Sequence, residues 1–185
     1  ISSKTLSAII GTTCGVVISA VAALIFGKAA GISGYNVSDI ETLNYVGQNS
    51  SIQIGQLLFS GIIISSLGAV MDVGMSIAST IQEIHDTNPS LSRKQVFLSG
   101  IHVGQDMMGT MTNTLIFAYV GGSLTTLIIN YAYDLSYRQL ANSYIIGIEI
   151  MQGLSGSLGV VLTVPITAFV ASFLIGKKKK MKTTD

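Results

Sequence analysis

The feature that most constrains this chain is a long run with no charge in it, Leu6 to Phe26, "LSAIIGTTCGVVISAVAALIF". A helix needs roughly 20 mostly apolar residues to cross about 30 Å of hydrocarbon, and this run is long enough. Three further mostly apolar runs follow, so membrane spans are predicted at about 6–26, 54–81, 107–129 and 145–175. Composition agrees. The 185-residue chain is 49% hydrophobic and 10% charged, against about 25% charged in an average soluble domain, and its mean hydropathy is +0.61. The expected fold is all-α: a polytopic membrane helix bundle with four transmembrane helices plus an amphipathic cytoplasmic helix, in a single transmembrane domain over residues 1–185.

The connectors carry their own signals. Residues 27–51 are rich in Gly, Asn and Ser and read as an extracytoplasmic loop, with Ser38 as cap of a short helix in "SDIETL". In "TNPSLSRKQ", Pro89 breaks the preceding helix and Ser92 with Gln95 fits a capping box. Residues 82–106 are therefore predicted as a cytoplasmic turn and an interfacial helix. "NYAYDLSYRQLANS" is a polar connector whose Tyr131, Tyr133 and Tyr137, with Tyr144 beyond, suit an aromatic belt. The chain opens on Ile1 without a small-residue cleavage site, so no signal peptide is predicted, and it is read as part of something longer.

Orientation follows from the basic residues. Alternation over four spans puts Lys4, Arg93, Lys94 and the five lysines of the tail 177–185 on one side, eight of the ten Lys and Arg residues. The positive-inside bias makes that side cytoplasmic. The expected location is the bacterial cytoplasmic (inner) membrane, multi-pass, with both termini inside. The tail reads as a stop-transfer anchor, or as a patch attracting anionic headgroups.

Several chemistries lack their residues. Cys14 is the single cysteine and sits within the first apolar run, where a buried inert thiol is the simpler reading. There is no Cys/His metal spacing, no Walker-type loop and no nucleophile elbow. No catalytic residue, metal or cofactor is expected, nor an enzyme, nor nucleic acid as partner. Met71, Met75, Met107, Met108 and Met111 read as adaptable packing and not as thioether ligands.

The polar residues inside the apolar runs are the candidate site. Asp72 interrupts the second span, placed roughly five residues from its cytoplasmic end. A charge left in lipid costs at least about 2.5–3.5 kcal/mol on insertion scales. Asp72 should therefore face the bundle interior, be protonated, or meet a donor. The third helix offers partners: His102 and Asp106 share a face by their spacing of four, Asn113 follows two turns on, and Thr110, Thr112 and Thr114 lie between and beside them. Together they read as a proton- or ion-handling relay. The competing reading makes Asp72 a fixed hydrogen-bond acceptor joining helices two and three, and His102 an ordinary interface histidine. Glu83, His85 and Asp86 read as a solvated helix end, and Glu149 as an interface charge, with a gate as its rival role. Ser65, Gly68, Gly156 and Gly159 are expected at close helix contacts, and Pro165 at a kink.

At these residues the chain resembles the YibE/F family of bacterial membrane proteins, through "GAVMDVGMSIASTIQEI", "NPSLSRKQVFLSG", "VGQDMMGTMTNTLIFAYVGGSL" and "GSLGVVLTVPITA". The resemblance implies a multi-pass membrane protein, with further spans and an extracytoplasmic segment preceding the part seen here. A weaker similarity reaches the SecD/SecF and RND transporter membrane halves. It matches Asp72 to their proton-site Asp, Gly68 to the preceding glycine and Thr110 to Thr114 to the polar stretch of the next span. No large soluble domain lies between the spans here, which departs from that pattern. The functional expectation is a proton- or cation-coupled transport or permease subunit, with the lipid bilayer around it and a homo-oligomer, a companion membrane subunit or a missing N-terminal half to complete it. The alternative is a non-transporting assembly or scaffold subunit in which Asp72 is structural.

Overall fold

The computed structural model describes residues 2–35 and 53–176 together with Glu41, Tyr45 and Gly47. The Ser38 cap, most of the 27–51 loop and the basic tail lie outside these residues. Six helices are bounded within the described residues: α1 Ser3–Ala29, α2 Ile54–Thr87, α3 Arg93–Gly122, α4 Leu124–Ala132, α5 Tyr137–Ala141 and α6 Tyr144–Gly176, and Glu41, Tyr45 and Gly47 are helical as well. No strand occurs among them.

α1, α2 and α6 are each long and apolar enough to cross a membrane, and the bent pair α3–α4 adds a fourth if it counts as one span. The first, second and fourth predicted spans thus sit inside helices that run past their predicted ends. The turn after α2 is short. Asn88 Oδ1 accepts from the Ser90 hydroxyl at 2.5 Å. The Ser92–Gln95 capping box then forms in full: Gln95 N donates to Ser92 Oγ at 3.3 Å and Ser92 N to Gln95 Oε1 at 2.9 Å. A second box at Ser136 and Gln139, not anticipated from the sequence, starts α5.

Two expectations about the third span are corrected. No separate interfacial helix precedes it: residues 93–106 are the first half of one continuous helix ending at Gly122. The break falls instead at Ser123, inside the predicted 107–129 span, where α4 departs from α3 at 46°. The local cause is Gly121 and Gly122, weak helix formers, followed by a serine whose hydroxyl bonds back to Tyr119 O at 2.8 Å.

α6 is the hub, against which α1, α2 and α3 all pack. Its contact with α1 is a zipper of small residues. Ser7, Gly11, Gly15, Ser19, Ala23 and Gly27, spaced by four, form the buried stripe of α1. The facing stripe of α6 is Met151, Ser155, Gly159, Thr163, Thr167 and Ala171, also spaced by four and buried. The pairing is antiparallel. A Cβ on Gly11 would overlap Thr167, one on Gly15 would overlap Thr163, and one on Gly27 would lie 3.3 Å from Met151 Sδ. Meanwhile Ile9, Val17, Val21 and Ile25 point outward. This pattern reverses that of a soluble helix. Lipid tails are as apolar as leucine, so close van der Waals approach decides what goes inside.

The core otherwise runs through Val70, Val73, Ile77 and Ile81 of α2, Val96 and Leu115 of α3, and Val160, Val164 and Ala168 of α6. Gly100 and Gly104 let α3 close onto it: a Cβ on Gly100 would sit 2.7 Å from Ile81 Cδ1, and one on Gly104 would overlap Val164. At the end where α2 turns into α3, Arg93 lies over the Phe173 ring at 5.3 Å and Phe97 meets Phe169 edge-on. Pro165 sits within α6 without ending it.

Candidate functional site

α2 buries Ser66, Val70, Val73 and Ile77, and the geometry of 3.6 residues per turn then sends Asp72 roughly 200° around the helix from Val70. Asp72 is accordingly exposed on the single chain, and so are Gly61, Ser65 and Gly68 on the same side. Its depth is also different from that expected. α2 continues to Thr87, so Asp72 falls near the middle of a 34-residue helix. The Ser19 hydroxyl donates to Ser66 Oγ at 3.1 Å, and a Cβ on Gly74 would lie 2.7 Å from Thr12 Oγ1. Asp72 is therefore level with the middle of α1.

α3 behaves in the same way. Val96, Gly100, Gly104 and Leu115 face the core, and His102, Asp106, Thr110 and Asn113 are exposed on the opposite side. Thr110 Oγ1 donates to Asp106 O at 3.1 Å, and Thr114 Oγ1 to Thr110 O at 2.9 Å, both within the helix. Thr112 turns inward, its Oγ1 buried and without a hydrogen-bond partner among the described residues. Asp72, His102, Asp106 and Asn113 make no side-chain hydrogen bond or ion pair among the described residues. The expectation that Asp72 faces the interior and meets this stripe is not met within one chain. The physical reason is that α2 and α3 touch through Ile81 against Gly100 and Ile77 against Gly104. Asp72 on α2 and His102, Asp106, Thr110 and Asn113 on α3 lie off that contact and are exposed.

The small residues divide. Gly156 is at a contact, where a Cβ would lie 3.4 Å from Tyr119 Oη and 3.6 Å from Ser66 Cβ. Gly159 is tighter still, with Ser19 Cβ at 3.0 Å and Gly15 O at 3.1 Å. Ser65 reaches α3 through its hydroxyl, 3.2 Å from Tyr119 Oη. Gly68 is a correction: a Cβ there would meet nothing within 4 Å, because it shares the outward face with Asp72. The methionines split as well. Met107, Met108 and Met111 lean on the core, whereas Met71 and Met75 are exposed and line a cavity of about 190 Å³ with Thr5, Ile9 and Thr12 of α1. Among the described residues no group of three or more His, Cys, Asp or Glu side chains is placed to hold a metal ion.

The sequence reading missed one cavity. A groove of about 300 Å³ opens between the α3–α4 bend and α6. Ile116, Val120, Leu127, Ile146, Ile150 and Leu154 give it apolar walls, and Tyr119 and Glu149 also border it. The legible signal for it was the Gly121–Gly122–Ser123 run, which interrupts the third span and swings α4 away.

A family model described as YibE/F-like protein matches residues 1–177. The chain belongs to the YibE/F-like family. That match spans all six helices of this YibE/F-like chain and both polar stripes. No curated protein and no solved structure matches the chain, so the weaker similarity to SecD/SecF and RND membrane halves finds no support there.

Proposed function

We propose that this YibE/F-like protein is a proton- or cation-coupled transport or permease subunit of the bacterial inner membrane, with Asp72 as the titrating group. The observation that carries the reading is a carboxylate at the middle of a membrane-length helix, without a side-chain partner among the described residues. A charge held against lipid there costs at least about 2.5–3.5 kcal/mol, so such a group is kept for a use. Asp72 makes no bond that would join α2 to α3, which takes away the simplest support for a purely structural acceptor. In the proposed assembly a second copy or a companion membrane subunit covers the outward faces of α2 and α3. His102, Asp106, Thr110 and Asn113 then supply water or side-chain partners to the relay, with Thr112 turned inward beside it. Both termini are cytoplasmic in this arrangement.

The test is ion flux in proteoliposomes, with and without an imposed pH gradient. Asp72→Asn keeps size and hydrogen bonding and removes titration, so the folded variant is expected to lose gradient-driven flux. Flux equal to wild type in that variant would overturn the proton-site reading, and no gradient-driven flux from wild type would leave a scaffold subunit.

A further inference from the structure

From the outward faces of α2 and α3 we infer that this chain pairs with a second copy of itself, the α2 of one copy lying against the α3 of the other. The inference rests on the reading above, in which those faces are covered, and it names what covers them. The exposed seam of α2 runs through Gly61, Ser65, Gly68, Asp72 and Met75, and that of α3 through Asp106, Gly109, Asn113, Ile116 and Val120. In both, steps of four and three residues alternate, the spacing of helices packed side by side with a slight left-handed twist. Lipid is a poor cover for them. Gly104 of α3 meets Val164 of α6, and the neighbouring Thr163 meets Gly15 of α1. The polar part of the α3 seam is therefore level with the uncharged run of α1, as Asp72 is.

The two seams match layer by layer. Within one chain Ile81 meets Gly100 and Ile77 meets Gly104, so a step of four along α2 is a step of four back along α3. Carried along both helices, this register sets Gly61 level with Val120, Ser65 with Ile116, Gly68 with Asn113, Asp72 with Gly109 and Met75 with Asp106. Copies in one bilayer share their orientation, and rotation about an axis along the helices keeps every level. In all but the last layer a small residue then opposes a larger one. A Cβ on Gly61, Gly68 or Gly109 meets nothing within 4 Å in the single chain, so each leaves room for the side chain opposite. The polar groups match as well. Asp72 is an acceptor, and the Asn113 amide, one turn from Gly109, is a donor; neither has a side-chain partner among the described residues. The two carboxylates fall in different layers, so neither opposes its own kind. A companion of different sequence would need only one of these seams. A chain that carries both, in one register, fits its own copy.

The test uses the full chain in membranes, in a Cys14→Ala background. Two differently tagged chains are co-expressed, each with one cysteine, so that a mixed disulfide forms only between copies. Gly61→Cys with Val120→Cys, and Gly68→Cys with Asn113→Cys, are level pairs. Exchanging the partners displaces each pair by seven residues, about 10 Å along the axis and beyond the reach of a disulfide. Mild oxidation is expected to join the level pairs into a mixed dimer on a non-reducing gel, and the exchanged pairs are expected to lose that band. Equal yields from level and exchanged pairs, or no product from any pair, overturn the pairing. So does a Gly68→Cys chain that joins only its own kind, since α2 then meets α2. Gly61→Cys and Gly68→Cys add atoms where nothing lies within 4 Å. If Asn113→Cys fails to accumulate, the Gly61–Val120 pair decides, with Gly68→Cys and Val120→Cys as its control. Cross-linking reads assembly and not flux. Cross-linked copies whose Asp72→Asn variant keeps wild-type flux would retain this interface and remove the proton-site reading, and lost flux without cross-links would do the reverse.

Discussion

Replacing Gly15 with alanine probes the α1–α6 zipper with a single added methyl. The added Cβ would overlap Thr163 Oγ1, come within 2.8 Å of Val70 Cγ1 and lie 3.2 Å from Gly159 O. None of these neighbours can yield cheaply. Thr163 and Val70 are fully buried, and the Thr163 hydroxyl is held by a 2.7 Å bond to Gly159 O. Overpacking of this kind costs about 1–3 kcal/mol, and helix propensity returns at most about 1 kcal/mol for Gly→Ala. A net loss of about 1–2 kcal/mol is expected, which for a chain of this size lowers Tm by roughly 2–8 °C. Gly68→Ala is the control: the same change at a position with no neighbour within 4 Å should be neutral or slightly stabilising. The double variant Gly15→Ala with Thr163→Ala removes the obstructing side chain and should recover about 1 kcal/mol as coupling. Thermal melts of wild type, the three single variants Gly15→Ala, Gly68→Ala and Thr163→Ala, and the double variant in one detergent read all of this. Gly15→Ala melting together with Gly68→Ala would refute the zipper, and so would the absence of coupling with Thr163→Ala.

Gly68→Leu should leave the melting of the monomer within about 0.5 kcal/mol of wild type while changing the elution volume of any assembly, which sizing of the detergent-solubilised protein would record. Tyr119→Phe removes the partner of Ser65 Oγ and should cost about 0.5–1.5 kcal/mol; a melt indistinguishable from wild type would mean that this bond is not made in the membrane. In a Cys14→Ala background, cysteines at Ser2 and Ser90 should resist impermeant maleimide in intact cells while one at Tyr133 reacts. Labelling at Ser2 or Ser90, or none at Tyr133, would reverse or break the proposed topology. Asp72→Leu should fold less well than Asp72→Asn if a partner subunit bonds to this side chain, as compared by yield and melting; equal behaviour of the two would argue that nothing bonds to it.

What the sequence determined by itself is what depends on local physics. Mostly apolar runs of membrane length announce the spans, because no partner is needed to make hydrocarbon prefer them. Ser92 and Gln95 announce a helix start, because both hydrogen bonds of the box close within four residues. The motifs around Asp72 and the Thr-rich third span were enough to point to the YibE/F family, and the family match over residues 1–177 agrees.

Facing was decided only by the tertiary structure. In water an amphipathic stripe shows which side of a helix is buried, but in a bilayer both the core and the surroundings are apolar and that contrast vanishes. Asp72 and Gly68 look alike from either direction in the sequence, and only the packing of Val70, Val73 and Ile77 turns them outward. The period-four run from Ser7 to Gly27 was present in the letters, yet its meaning came from the matching run on α6, more than a hundred residues away along the chain. The bend at Ser123 and the groove beside Glu149 are likewise products of how α3, α4 and α6 meet. A helix end or a span is fixed by bonds within a few turns of one helix. A contact surface is fixed by steric fit between helices, and steric fit belongs to pairs of helices.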